Sequence, residues 1–258
     1  DKLNQLNNFL IPKSFKIFRF QRLKKNTILI GLSGGQGAGK STLTQIFKII
    51  LTTLFKLNVV IFSIDDFYRT QNERKKMSKF IHPLFMTRGV PGTHDTKMLY
   101  KILKKLTNKK FKKLTIPKFD KSKDDRAKQN FWQKVTKKPD VVIFEGWCVG
   151  AKSQTKKDLI NPINLLEKKE DINLNWRKKI NNELKINYKK IFKLIDYKIY
   201  IKVPSFKHVL RWRLLQEKKL SLKSKNKSVM NNNDIKRFIM FYERITKNMI
   251  KNFKDNNI

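Results

Sequence analysis

Residues 34–41 read Gly34-Gly35-Gln36-Gly37-Ala38-Gly39-Lys40-Ser41, the G-x-x-x-x-G-K-S spacing of a phosphate-binding loop. Thr27–Leu32 before it is apolar enough for a short buried strand. After it, Leu43, Ile46, Phe47, Ile50, Leu51 and Leu54 recur at helical spacing over Thr42–Leu57. Strand, glycine-rich turn and helix in that order leave few architectures open. The glycines let the backbone curl so that N–H groups along Gly34–Thr42 point at phosphate oxygens. The helix N-terminus adds a field that favours anions. Lys40 can then reach the β- and γ-phosphates, and the Ser41 hydroxyl can ligate Mg²⁺. A bound nucleoside triphosphate with Mg²⁺ is expected.

The rest of the chain alternates strand and helix patterns. Asn58–Ile64 and Asp140–Phe144 are continuous apolar runs, the mark of parallel strands covered on both faces, and Tyr197–Val203 is a further strand. Lys113–Ile116 reads as a short strand ended by Pro117. Residues 70–94 read as a polar connection. A helix is expected from Asp95 or Thr96 to Leu106, with more over Phe206–Leu220 and Asp234–Phe253. Residues 151–196 read as mostly helical, anchored by Leu159, Leu165, Leu166, Trp176, Ile180, Leu184, Tyr188 and Phe192. Ser221–Asn233 is rich in Lys, Ser and Asn and reads as mobile. The fold class that follows is α/β, a doubly wound parallel sheet flanked by helices, with ligands at the carboxyl ends of the strands.

Charge is the other conspicuous property. The 258 residues carry 60 Lys+Arg against 20 Asp+Glu, a net charge of +40. Such a balance suits a nucleic-acid partner. Lys far outnumbers Arg, however, Asn, Ile and Phe abound, and Ala occurs only at 38, 127 and 151, which is the residue set of A/T-rich codons. The lysines are dispersed rather than gathered in one stripe, so no specific nucleic-acid partner is expected. The single cysteine, Cys148, excludes an intrachain disulfide and fits a cytoplasmic or other reducing compartment. No apolar run is long enough to span a bilayer, the first thirty residues lack a signal-peptide pattern, and no membrane partner is expected. The chain begins at Asp1 rather than Met, which leaves room for a preceding segment.

Several acids and bases sit where chemistry would need them. Asp65 and Asp66 in Ser63-Ile64-Asp65-Asp66-Phe67-Tyr68 follow the second strand and face the same crevice as the phosphate loop, as does Tyr68. A carboxylate there can take a proton from an attacking hydroxyl or hold Mg²⁺. Glu145 in Phe144-Glu145-Gly146-Trp147 follows a hydrophobic strand, the position of a second metal-proximal carboxylate. Arg88 and His94 in the Gly/Pro-rich loop 88–95 are candidates to grip an anionic acceptor. Asp120 and Arg126, in the polar stretch after Pro117, are further acceptor candidates. Arg211 and Arg213 lie on a late helix, where a lid supplies cations to a moving phosphoryl group. Thr155-Lys156-Lys157-Asp158 matches a guanine-reading pattern but follows no apolar strand, and is rejected.

Taken together, GLSGGQGAGKSTL, SIDDFY, RGVPGTHD, IPKFDKS, VVIFEGW and WRLLQE resemble the D-glycerate 3-kinase-like P-loop kinases, in the wider group of phosphoribulokinase, uridine kinase and bacterial pantothenate kinase, over residues 27–250. The resemblance implies a P-loop NTPase fold and transfer of the ATP γ-phosphoryl group to a small-molecule hydroxyl, with ATP and Mg²⁺ required. It puts Asp65 at the general base, Lys40 and Ser41 at the nucleotide and metal, Glu145 near Mg²⁺, and Arg211 and Arg213 in the lid. Along the chain, an N-terminal helical or irregular extension (1–26) is expected before a kinase domain (27–258), with a helical insertion near 151–196 and lid and C-terminal helices near 205–255. D-glycerate or a similar small hydroxy acid is the expected acceptor, with Asp66, Tyr68, Arg88, His94, Asp120 and Arg126 as contacts. A nucleoside or pantothenate-like alcohol, or a basic NTPase acting on nucleic acid, are the alternatives.

Overall fold

A computed structural model describes residues 2–223 and 231–252. In chain order, α1 (Lys2–Gln5) and a π turn lead into α2 (Ile11–Lys24), then β1 (Ile28–Gly34), α3 (Lys40–Thr53), β2 (Val59–Ser63), α4 (Gln71–Phe80) and α5 (Thr96–Leu106). Next come β3 (Leu114–Ile116), β4 (Phe119–Asp120), β5 (Asp125–Arg126), β6 (Gln133–Val135) and β7 (Val141–Gly146). The helices α6 (Lys156–Ile160), α7 (Leu165–Glu170), α8 (Asn175–Glu183) and α9 (Lys189–Phe192) precede β8 (Tyr197–Ile201), α10 (Phe206–Lys223) and α11 (Asn232–Asn252). Most of the segment expected to be mobile, residues 224–230, lies outside the described residues, as does Phe253.

Four parallel strands form the sheet in the order β2-β7-β1-β8. All of β1 and β7 is buried, as continuous apolar runs require when helices cover both faces. Side chains alternate across the sheet. Ile28, Ile30 and Leu32 join Phe47 and Leu51 of α3 and Ile17 of α2, whereas Leu29, Val142 and Phe144 join a second core with Leu99, Ile180 and Phe241. Leu10 and Ile17 thus tie the described N-terminal segment into the sheet's own core.

The structure departs from the sequence reading in instructive places. The polar connection 70–94 contains α4, opened by a capping box in which Thr70 and Glu73 satisfy each other's backbone N–H. On α4, Asn72, Lys75, Lys76 and Lys79 are exposed, but one polar residue is buried wiring. Arg74, 1% exposed, donates to the carbonyls of Arg69, Met86 and Asp124. The helix after the phosphate loop starts earlier than expected, at Lys40, and ends at Thr53. The strand at Lys113–Ile116 is outside the main sheet and pairs antiparallel with β6. Leu165 is exposed rather than an anchor, because it opens α7 on the side away from Leu166. Thr155 and Asp158 form the capping box of α6, which accounts for the rejected guanine-reading match.

A charged cluster locks the helical layer. Arg177 on α8, 3% exposed, donates to Glu167 (3.3 Å) and to the Asp171 carbonyl (2.9 Å), and its guanidinium also contacts the Asp171 carboxylate. Arg244 on α11 donates to both oxygens of Glu167. Removing one partner leaves an uncompensated buried charge. Arg177→Met is therefore expected to cost about 3–5 kcal/mol of stability, read as a lowered denaturant midpoint. A loss within ~0.5 kcal/mol would show that Arg244 and the backbone N–H groups already compensate Glu167 and Asp171 without Arg177.

Candidate active site

β1 ends in the phosphate loop, and the geometry there depends on two glycines. Gly37 (φ 77°) and Gly39 (φ 80°) are left-handed, a region other residues enter at a cost. A Cβ on Gly37 would stand 2.8 Å from Trp212 Cβ, so glycine also permits α10 to approach the loop. Lys40 Nζ arches back to the Gly35 carbonyl (3.0 Å). Burial lowers the Lys40 pKa, opposed by the charges of Glu145 and Asp65.

Parallel pairing of β7 with β1 sets Gly146 opposite Ser33 and brings Glu145 beside the loop. The Ser41 hydroxyl donates to Glu145 Oε1 at 3.2 Å. Glu145 is 8% exposed, and burial raises its pKa against the nearby Lys40 ammonium and the Ser41 hydrogen bond. Such a desolvated carboxylate gains from a cation. Among the described residues no group of three or more His, Cys, Asp or Glu could hold a metal by itself. Ser41, Glu145 and Asp65 line one cleft as hard oxygen donors, which fits Mg²⁺, an ion that takes one or two carboxylates and completes its shell with water and phosphate. Arg213 also lines the cleft, with its guanidinium ion-paired to Glu217, donating to Gln216 and lying over the Phe238 ring.

At the end of β2, Ser63 caps a short turn and Asp66 returns the bond to the Ser63 N–H. That turn aims Asp65 into the cleft. Its Oδ1 accepts from the Tyr68 hydroxyl (2.8 Å) and its Oδ2 from Lys121 Nζ (3.0 Å). Burial pushes the Asp65 pKa up, but the charge and hydrogen bond of Lys121, helped by His94 and Tyr68, bring it below the ordinary value. Lys118 Nζ contacts both oxygens of Asp66, at 3.3 and 3.1 Å. Lys118 precedes the β4–β5 hairpin and Lys121 sits in its turn, which Asp124 ties down through ion pairs to Arg74 and Arg88.

The cleft measures about 750 Å³. It gathers most of the loop residues (Gln36, Gly37, Gly39, Lys40, Ser41, Thr42), the acids Asp65, Asp66 and Glu145, and Tyr68, Arg88 and Arg213. Gly34, Gly35 and Ala38 form the backbone behind that wall. Four expected residues are elsewhere. His94 is fully buried, stacked on Tyr68 and hydrogen-bonded to the Tyr188 hydroxyl at 2.5 Å, so it supports the wall instead of facing a substrate. Arg126 braces the Tyr68 carbonyl and Asp95. Asp120 caps its own turn, accepting from Ser122 and Lys123. Arg211 is exposed on the far side of α10, since residues two apart on a helix point in different directions. Sequence reasoning missed Lys118 and Lys121, each beside a named position but hidden among many lysines, and missed Trp147, Trp212, Phe238 and Tyr242.

This geometry has known counterparts. Residues 29–209 match the Phosphoribulokinase / Uridine kinase family. The chain belongs to that family. It is 33% identical over 222 residues to the uncharacterized kinase mug58 of Schizosaccharomyces pombe, covering 83% of this chain and 78% of the other. It is 29% identical to the chloroplastic D-glycerate 3-kinase of Arabidopsis thaliana over 83% of this chain, and spans 46% of that longer protein. In three dimensions it is similar to the D-glycerate 3-kinase of Cryptococcus neoformans, with a TM-score of 0.78 and 25% identity over 96% of this chain and 88% of the other. The chain is therefore a P-loop kinase-family phosphotransferase, as its motifs implied. Among the described residues no helix is long and apolar enough to cross a membrane.

Burial lowers the His94 pKa to about 4 from 6.5. Between those values the unfolded chain binds a proton that the folded chain does not, so stability falls as pH drops from about 6.5 towards 4. At pH 5 this residue alone is expected to cost about 2 kcal/mol relative to pH 7. Denaturation of wild type and His94→Gln at both pH values checks it, and equal pH dependence in the two would refute it.

Proposed function

We propose that the protein transfers the γ-phosphoryl group of ATP to a hydroxyl of D-glycerate or a similar small hydroxy acid. What carries this reading is the set of cations over the reaction centre. Lys118, Lys121 and Arg88 converge on the cleft where Asp65 and Asp66 lie. A small acceptor with a carboxylate matches that set, and a neutral alcohol does not need it.

The residues take the following parts. The backbone of the phosphate loop and Lys40 hold the nucleotide's phosphates. Ser41 and Glu145 are the residues that would hold Mg²⁺, which supplies charge neutralisation at the phosphates when bound. Asp65 accepts the proton of the acceptor hydroxyl as its oxygen bonds to the γ-phosphorus, and the bond from that phosphorus to the ADP oxygen breaks. Tyr68, donating to Oδ1, leaves Oδ2 as the proton-accepting atom. Arg213 meets charge on the transferring group from the α10 side.

Lys121 gives the site a preference for acids. Its ammonium on Oδ2 lowers the basicity of Asp65. An acceptor carboxylate competes for that ammonium and restores the base, so a hydroxy acid prepares its own catalyst. A nucleoside acceptor is the second reading, favoured by the aromatic wall of Tyr68, Trp147 and Tyr242.

Asp65→Asn is expected to lower acceptor-dependent ADP release by about 10²–10⁴-fold while ATP binding persists. Acceptor-independent release, equal in variant and wild type, would reject the base assignment. Lys121→Ala is expected to raise KM for D-glycerate roughly tenfold or more and to leave turnover of uridine unchanged or improved. A panel of D-glycerate, L-glycerate, glycolate, uridine and pantothenate separates the readings. A response to uridine alone would replace the hydroxy acid with a nucleoside.

A further inference from the structure

The face of the molecule carrying α2 combines two properties that no catalytic role uses. One is charge. From Lys2 to Ile64 there is not one Asp or Glu, although Lys2, Lys13, Lys16, Arg19, Arg22, Lys24, Lys25, Lys40, Lys48 and Lys56 fall in that stretch. Among the described residues Lys24 alone of the α2 cations has an ion pair, with Asp196, so Lys16, Arg19 and Arg22 project without acidic partners.

The other property is exposed apolar surface. The core side of α2 is Ser14, Ile17 and Gln21. Phe15 (48% exposed) and Leu23 (78%) lie opposite it, Phe20 (37%) lies on its flank, and Phe9 (44%) is exposed in the preceding turn. On a helix of 3.6 residues per turn, Lys16, Phe20 and Leu23 of α2 fall along one stripe, and Phe15, Arg19 and Arg22 along the next. Apolar and basic groups therefore interleave on one outward surface. Phe15 and Phe18 both pack on Phe55, which extends the surface towards the end of α3, where Leu54 is 59% exposed.

We propose that this face of α2 binds an anionic lipid surface, with Phe15, Phe20 and Leu23 entering the headgroup region while Lys16, Arg19 and Arg22 meet lipid phosphates and carboxylates. A helix lying in the interface needs no spanning segment, so the absence of one among the described helices is no obstacle. Charge argues against a second copy as the occupant, since two such faces repel. Side-chain type argues against nucleic acid, since Leu23 and Leu54 have no ring for a base to stack on and the surface is a convex helix rather than a groove. The consequence is a kinase held at a membrane surface, with its cleft built from the carboxyl ends of the strands left free.

The test is flotation of the full chain with phosphatidylserine-containing vesicles and with pure phosphatidylcholine vesicles at about 150 mM salt, where weak long-range attraction is screened. Wild type is expected to float with the anionic vesicles only. Phe20→Ser/Leu23→Ser and Lys16→Glu/Arg19→Glu are each expected to weaken binding on the order of tenfold or more, with unchanged thermal melts. None of these residues lines the cleft, so kinase turnover is expected to persist in both variants. The proposal is overturned by no preference for anionic vesicles, or by an apolar-depleted variant that floats like wild type. It is equally overturned if this face binds a single-stranded RNA oligomer at the same salt in place of lipid, or if wild type sediments as a dimer that Phe20→Ser/Leu23→Ser dissolves.

Discussion

The parallel pairing of β1 with β7 is the interaction on which the site depends. It buries two continuous apolar strands side by side and sets Ser33 opposite Gly146. Because that register holds, the phosphate loop leaving β1 and the Glu145 carboxylate near the end of β7 emerge together, close enough for Ser41 to donate to Glu145. A two-residue slip would keep the hydrophobic alternation and still carry Glu145 about 7 Å along the strand, away from the loop. Gly31 lets Ile195 pack close against β1, since a Cβ there would meet Ile195 Cδ1 at 2.7 Å.

Around that pair the structure balances opposite charges in a partly desolvated cleft. Lys40 lies between Glu145 and Asp65, and each is shifted by burial as well as by its neighbours. Asp65 is held from two sides, by a tyrosine beneath and a lysine from the hairpin above. The tyrosine in turn rests on a neutral, buried His94 wired to Tyr188. These layers orient the Asp65 carboxylate through packing, which is how a rigid wall holds a side chain to a fraction of an ångström.

Much of the site was legible because its chemistry is local in the chain. The phosphate loop and Asp65 with Asp66 follow a strand, and Glu145 sits at the carboxyl end of one, so placing the strands placed them too. The errors came where a side chain's role depends on what folds against it. His94 was read as a substrate contact from its loop, yet Tyr68 and Tyr188 enclose it. Arg126 and Asp120 looked like acceptor contacts, but the hairpin turns them inward to Tyr68 and onto their own turn, and presents Lys118 and Lys121 instead. In a chain with 60 basic residues, no spacing distinguishes those two lysines from the rest.

Local periodicity and turn chemistry thus determined the α/β class, the phosphate loop and the carboxylates at strand ends, because each of these is written within a few consecutive residues. Tertiary structure alone decided which cations line the cleft, which arginine of α10 reaches it, and that Leu10 and Ile17 of the N-terminal segment join the sheet's core. Those outcomes rest on contacts between segments far apart in sequence, where burial and the direction of a side chain follow from the packing of whole elements.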